Sequence, residues 1–303
     1  MLHPVAIMRH SPAGYFPRMS FTLSASIVVY DSDRALLRRA LAALAAAVAR
    51  AAEAGLLTGA RITLVDNGAA AGAVVDEPYI PDFAPPPSPV ATAWRRIAGQ
   101  GNLGYGRGHN LVLLDPAAEA DMYLVLNPDA LLDANALAAG LAWLRDTPAC
   151  GMVAPNGTGP DGAPQFLCKR YPDALTLLLR AIAPAALRRR FAGRLARYEM
   201  RDVVGDAGER AAQGGPLASG CCMLLRREAV RHTRGVAPAF FVYFEDYDLS
   251  LRLAAGGAWR IDYVPAMRVV HYGGNAAKKS LAHIRMFVAG AARFFNKHGW
   301  KLA

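Results

Sequence analysis

Long apolar runs are missing from this chain. No stretch reaches the roughly eighteen uncharged residues that a membrane span needs, and the alanine-rich segment around Leu41 to Leu57 is broken by Arg50, Glu53 and Gly55. The sequence is therefore expected not to cross a bilayer. Cysteine is scarce as well: Cys150, Cys168, Cys221 and Cys222 form no C-x-x-C pair, and the adjacent two are poorly placed for a zinc site or a framework disulfide. They read as reduced thiols of a cytosolic protein. The opening "MLHPVAIMRHSPAGYFPRMS" lacks a continuous apolar signal core, so residues 1–20 are expected to form a flexible extension, with Met19 a candidate start. Acids are in deficit, 24 against 34 lysines and arginines, and the resulting charge of +10 points toward acidic partners. The arginines gather in "LRRRFAGRLARYEMR" (187–201) without the interleaved aromatics of an RNA-stacking platform, and no DNA-binding motif occurs, which argues against nucleic acid. A solvated basic face and contact with phosphate or an anionic membrane surface remain.

What is present reads as α/β. "SASIVVY" (24–30) predicts a buried strand, and the following segment a helix capped by Asp31, Ser32 or Asp33 and ending at Gly55. "ARITLVDNG" predicts a second strand. Strand, helix and strand in this order make a right-handed parallel unit, whose ligand crevice lies at the carboxyl ends of the strands. A proline-rich excursion over 77–93, a third strand at "WRRIAGQ", a fourth at "MYLVLNPD" and a helix at "ANALAAGLAWLRD" follow. The second half predicts strands at "GMVAPNG", "APQFLCKRY" and "LASGCCMLLRR", a helix opening at Glu245, two short strands at "WRIDYV" and "AMRVVHY", and a closing amphipathic helix. The organisation expected is one domain over 21–275 with a helical region over 276–303.

The polar residues collect where such a fold opens. "GQGNLGYGRGHN" (99–110) fails the G-x-G-x-x-G fingerprint because His109 stands where a third glycine is required, and there is no Walker sequence. It predicts a loop that lets backbone approach a ligand, with Asn110 starting a helix. Asn127 and Asp129 leave the fourth strand, where Asp129 suits a Mg²⁺ or Mn²⁺ ion shared with a phosphate. A Pro-Asp turn capping the next helix would look the same. Glu245 and Asp246 sit in the first turn of a helix, where the dipole alone favours acids. Asp248 precedes Arg252 by four residues, the spacing of an ion pair. His271 in "VVHYGG" ends an apolar strand.

The ordered set "SIVVYDSD", "LVDNG", "GNLGYGRGHN", "YLVLNPDALL", "LASGCCMLLRREAV", "FFVYFEDYDLSLRL" and "VVHYGG" resembles the family-two inverting glycosyltransferases, in particular their non-processive bacterial rhamnosyltransferase-like group, over about residues 24 to 300. The resemblance implies the GT-A fold: a Rossmann-like nucleotide-binding half on a mostly parallel mixed sheet, joined to an acceptor-binding half. It puts Tyr30, Asp66 and Asn67 around the nucleoside, and Asn102 and Gly104 near the nucleotide sugar. Asn127 and Asp129 take the places of the D-x-D metal motif, with Asn127 replacing the first acid. It implies Asp246 as catalytic base with Glu245 beside it, and His271 on the metal or diphosphate. The Q-x-x-R-W motif of processive synthases is absent, which disfavours long-chain polymerisation. The expected activity is transfer of a hexose or deoxyhexose, L-rhamnose from dTDP-rhamnose or a sugar from UDP, to a lipid-linked or oligosaccharide acceptor at the cytosolic face of the membrane. Two other readings stand beside it. A sugar-phosphate nucleotidyltransferase would carry a basic glycine-rich motif at its first strand, where this chain has "YDSDR". A non-catalytic basic module would bind nucleic acid or membrane without turning over sugar nucleotides. In the closing helix Ile284, Phe287, Val288, Ala291, Phe294 and Phe295 recur at three- and four-residue steps, a stripe that either packs on the domain or faces a bilayer beside Lys278, Lys279, Lys297 and Lys301.

Overall fold

The computed structural model describes residues 19–68, 87–204, 212–213, 216–273 and 281–302. The expected extension over 1–18, most of the proline-rich excursion, and Lys278 and Lys279 lie outside the described residues. Strand β1 (Phe21–Val29), helix α1 (Arg34–Glu53) and strand β2 (Leu57–Asp66) form the expected parallel unit. On α1, Leu37, Leu41, Leu44, Val48 and Ala51 recur at alternating four- and three-residue steps, and all are buried. Of the three candidate caps, Asp33 acts: its Oδ1 accepts the N–H groups of Ala35 and Leu36 at 2.8 and 3.0 Å. Gly55 at φ 71° ends the helix.

Strand β3 (Ala91–Ile97) extends the sheet beyond β2, and after α2 (Tyr105–Leu113) the chain returns to place β4 (Met122–Leu126) on the other side of β1. All four strands are parallel. Because the chain leaves β1 toward β2 on one side and comes back as β4 on the other, a crevice opens beyond the carboxyl ends of β1 and β4. This places the site.

The remaining elements are β5 (Ala130–Leu132), α3 (Ala136–Asp146), β6 (Cys150–Thr158), β7 (Pro164–Gln165), β8 (Cys168–Lys169), α4 (Ala174–Ile182), α5 (Ala185–Arg190), α6 (Ala192–Tyr198), β9 (Ala212–Gln213), β10 (Leu217–Ala218), β11 (Cys222–Arg226), α7 (Arg227–Thr233), α8 (Glu245–Ala254), β12 (Arg260–His271) and α9 (Leu281–His298). The sheet runs β3-β2-β1-β4-β11-β6-β12-β5. Strand β11 inserts antiparallel between β4 and β6, and β5 lies antiparallel on β12. The sheet is therefore mixed, and the Rossmann-like arrangement holds only for its first four strands. Strand β11 arrives after the long excursion over β7 to β10 and runs against the direction of both its neighbours.

Three local expectations are corrected. Helix α2 starts at Tyr105, a turn and a half before Asn110, because Gly104 at φ 80° turns the chain there and Asn102 Oδ1 accepts the Gly104 N–H at 2.9 Å. Asn110 lies inside the helix and clasps Val236 through both its backbone groups. The two strands expected after α8 are one, β12, whose register against β6 shifts between Val264 and Arg268 around Pro265, which has no N–H to pair. "APQFLCKRY" yields only the two-residue strands β7 and β8.

Helix α9 docks on the domain through half of its apolar stripe. Phe294 and Phe295 are buried with Leu177, Tyr198, Phe240 and Phe244, whereas Ile284 and Val288 stay exposed. Its end is tied down by Asp248, which is fully buried and accepts from Arg252 Nε and His298 Nε2, both at 2.7 Å, and from Lys297. Lys297 is thereby withdrawn from the basic set expected to face a membrane. Among the described residues no helix is long and apolar enough to cross one.

Burial pushes the Asp248 carboxyl up, but the hydrogen bonds from Lys297, Arg252 and His298 outweigh it and hold the group below the usual range. A depressed folded value contributes stability above the unfolded carboxylate range, and that stability is lost as pH falls through the folded value. Asp248→Asn is expected to cost roughly 2–3 kcal/mol at neutral pH, since it leaves buried donors against a weaker acceptor. Denaturant midpoints at pH 7 and pH 3 check this, with the gap between parent and variant closing in acid.

Candidate active site

A cavity of about 820 Å³ occupies the crevice. Tyr30 and Asp31 line it from the end of β1, Asn67 from the end of β2, Asn102, Gly104 and Tyr105 from the glycine loop, and Asn127, Pro128 and Asp129 from the end of β4. Phe241 and Val242, and Ala282, His283 and Met286 of α9, close the remaining side. Each predicted nucleotide-side residue except Asp66 reaches this wall. Asp66 is buried beneath it, held by Arg96 at 2.7 Å, and its Oδ1 accepts the N–H of Gly68. Tyr30 lines the cavity and is 60% exposed.

The glycine loop is pinned to the segment before α8. A Cβ at Gly104 would stand 2.2 Å from the Phe241 carbonyl oxygen, and the next N–H, of Tyr105, donates to that oxygen at 2.8 Å. Asn67 Nδ2 donates to the Gly104 carbonyl at 3.0 Å. Backbone polar groups of this loop are thus committed to holding its shape.

At the end of β4, Asp129 Oδ1 stands 3.4 Å from His271 Nε2, and Asn127 Nδ2 is 3.4 Å from the same nitrogen. Gln165 fixes the imidazole: His271 Nδ1 meets Gln165 Oε1 at 2.8 Å, and Gln165 Nε2 donates to the His271 carbonyl. Among the described residues no group of three His, Cys, Asp or Glu side chains could hold a metal by itself. One carboxylate, one imidazole and one carboxamide do suit a Mg²⁺ or Mn²⁺ ion that draws its other oxygens from a diphosphate, the usual economy of such sites. Asp129 and His271 would hold it.

Helix α8 begins abruptly. Tyr243 and Phe244 sit at φ 71° and 68°, a left-handed pair that costs on the order of 1–3 kcal/mol per residue. Packing enforces it: Phe244 is buried among Phe287, Phe294 and Tyr247, and Gly290 of α9 lies so close to the Tyr243 carbonyl that a Cβ would stand 2.9 Å away. This turn delivers Asp246 to the loop before β11, where its Oδ2 accepts the Gly220 N–H at 2.9 Å and its Oδ1 the Tyr247 N–H at 2.8 Å. Burial pushes the Asp246 carboxyl up, and these N–H groups pull partly against it. Glu245 is 5% exposed, and its Oε2 has no hydrogen-bond partner among the described residues. Burial first, then the charge of Asp246, pushes it up to about 8. Burial thus favours the protonated form of Glu245, and Asp246, with two N–H donors on its oxygens, is the better placed of the pair to carry the charge.

A raised folded value stabilises below the unfolded carboxylate range and loses that stability as pH climbs toward 8. The parent is expected to lose stability between pH 5 and pH 8, and Glu245→Gln to lose less. Melting temperatures across that window test it; parallel curves would remove Glu245 as the proton carrier.

Several residues of the site carried no sequence signal. Tyr105 looked like part of a glycine turn, and Gln165 reaches His271 across 106 positions. His283 and Met286 belong to a helix whose periodicity revealed an apolar stripe but not its neighbour.

The glycosyltransferase like family 2 model matches residues 95–287, which includes the glycine loop, the Asn127–Asp129 corner, Asp246 and His271. The chain belongs to that family. This glycosyltransferase is 28% identical over 180 residues to N-acetylglucosaminyl-diphospho-decaprenol L-rhamnosyltransferase of Mycobacterium tuberculosis, in both strains CDC 1551 / Oshkosh and H37Rv. The match spans 56% of this chain and 56% of each relative. Among solved structures, the mannosyltransferase PcManGT from Pyrobaculum calidifontis, in complex with GDP-Man and Mn²⁺, superposes with a TM-score of 0.53 at 15% identity, covering 91% of this chain and 66% of that one. GalNAc-T7 with UDP, GalNAc and Mn²⁺ gives 0.53 at 12% identity, covering 92% and 50%. These likenesses concern the fold of the glycosyltransferase.

Proposed function

We propose that this glycosyltransferase transfers a sugar from a nucleotide-sugar donor, with inversion, to a glycan or lipid-linked acceptor in the synthesis of a bacterial surface polysaccharide. The observation that carries the reading is the cavity at the switch between β1 and β4, with Tyr30 and Asn67 at one end and Asn127 and Asp129 at the other. In this reading the nucleoside lies against Tyr30 above the Asp66–Arg96 pair, Asn102 and the glycine loop follow the sugar nucleotide, and the diphosphate meets Asp129 and His271. A divalent ion bound there would neutralise charge developing on the departing diphosphate. The acceptor hydroxyl attacks the anomeric carbon from the opposite face, and Asp246 takes its proton as the new bond forms. Each Asp246 oxygen spends one lone pair on a backbone N–H and keeps another for that proton.

The relatives' name favours L-rhamnose as the sugar and a polyprenyl-diphosphate-linked sugar as acceptor, and the sequence resemblance adds dTDP-rhamnose as donor. Thermal shift against a panel of dTDP- and UDP-sugars with Mn²⁺, followed by turnover with the sugar that shifts, tests this; stabilisation by none of them would overturn it. A lipid-linked acceptor would bring the enzyme to the inner face of the cell membrane. Helix α5 supports that placement, since none of its residues is buried. Leu178 and Leu187 are exposed, and Arg188, Arg189 and Arg190 form no ion pair with a carboxylate among the described residues. The enzyme should pellet with anionic vesicles at low salt, and charge reversal of these three arginines should release it. Indifference to such vesicles would favour a soluble acceptor.

A further inference from the structure

Tyr105 is a cavity residue to which neither the sequence nor the proposed chemistry gives a task. Its ring is held on all sides. The backbone N–H donates to the Phe241 carbonyl, His109 meets the ring edge-on at 4.4 Å between centroids, and Gly220 leaves so little room that a Cβ would stand 3.0 Å from Tyr105 Cε1. The hydroxyl lies 2.5 Å from the Gly220 carbonyl oxygen and 2.9 Å from Asn127 Oδ1.

A phenol has one proton, so it cannot make a full, linear hydrogen bond to both neighbours. That proton stays in place at neutral pH, since a phenol ionises only at about pH 10. The Gly220 carbonyl can only accept, and it is the nearer group. What remains for Asn127 is a lone pair on the Tyr105 oxygen, which only an amide N–H can satisfy. The two ends of a carboxamide are nearly the same shape, and half a turn meets the requirement. Nδ2 then donates to Tyr105, and Oδ1 faces His271 Nε2, which carries a lone pair because Nδ1 gives its proton to Gln165, so both atoms turn electron pairs toward one place beside Asp129, as a shared cation requires.

We propose that Tyr105 is a positioning residue for the transfer: its hydroxyl turns the Asn127 carbonyl oxygen toward the donor diphosphate and its ion, and at the same time grips Gly220, whose N–H holds Asp246. The chain Asn127, Tyr105, Gly220, Asp246 links the donor side of the site to the base through three hydrogen bonds. It also accounts for Gly220, since any side chain there would displace the ring. The inference rests on the reading of the cavity as a donor site.

Tyr105→Phe keeps the ring and removes only the hydroxyl. Calorimetry with dTDP and UDP should show nucleotide affinity in the presence of Mn²⁺ weakened about tenfold in the variant, and affinity without metal changed less than twofold. Turnover at saturating donor should fall roughly 10- to 100-fold, with an unchanged melting curve confirming the fold. Asn127→Asp supplies the control, because a carboxylate can only accept from Tyr105 and must compete for the proton that Gly220 uses. Adding Tyr105→Phe to Asn127→Asp should therefore cost far less in Mn²⁺-dependent affinity than it does in the parent. Unchanged affinity and turnover in Tyr105→Phe, or losses in the two variants that simply add, would overturn the proposal while the parent still binds nucleotide. A parent that binds no nucleotide with Mn²⁺ would overturn the donor-site reading, and this proposal with it.

Discussion

Asp246→Asn is expected to lower turnover by roughly two to four orders of magnitude and to leave nucleotide affinity within about twofold of the parent. A base acts as the acceptor proton leaves, so its loss falls on the chemical step and spares the ground-state complex. The geometry sharpens this. Asp246 is locked through both oxygens by the Gly220 and Tyr247 N–H groups, and burial has raised its basicity. Turnover in the parent should accordingly rise with pH as this carboxyl ionises, and in the variant that limb should vanish. Asparagine sets an NH₂ against one of the two backbone donors, so a melting curve must accompany the assay. Near-parental turnover in a folded variant would exclude Asp246 as the base.

Asp129→Ala should weaken Mn²⁺-dependent binding of dTDP or UDP by about 10- to 100-fold, and His271→Ala by less. Among the described residues Asp129 is the carboxylate that stands beside His271, so its loss removes that anionic group from a cation otherwise held by substrate. His271 keeps a second duty: its Nδ1 partner Gln165 ties β7 to the strand end, and its removal should also loosen that corner. Calorimetry with and without Mn²⁺ separates the two effects. Equal nucleotide binding by the parent in both conditions would remove the ion from the mechanism.

How far the sequence could reach is clear from particular residues. The β1-α1-β2 unit was legible because strand and helix periods switch sharply at Asp33 and Gly55, each with a local cap or turn to mark it. The corner at Asn127 was legible for the same reason, and the start of α8 from the acids of its first turn, although packing against α9 sets the turn before it. The antiparallel insertion of β11 was not. Its five residues are all buried, so the strand carries no alternation to show which way it faces or runs. The helix after the glycine loop was placed too late because a glycine at positive φ, not an asparagine cap, starts it. Tyr105 and His283 were invisible because their partners lie far away in sequence. The apolar stripe of α9 was visible, but only the fold shows that Phe294 and Phe295 turn inward while Ile284 and Val288 do not.

The most direct test of the donor site is a crystal structure of the protein with Mn²⁺ and the nucleoside diphosphate that binds it best. The nucleoside should lie against Tyr30 with its diphosphate between the Asn102–Gly104 loop and the Asp129–His271 pair, leaving the sugar-side opening toward Asp246. A nucleotide bound elsewhere on the chain, with this crevice empty, would contradict the account.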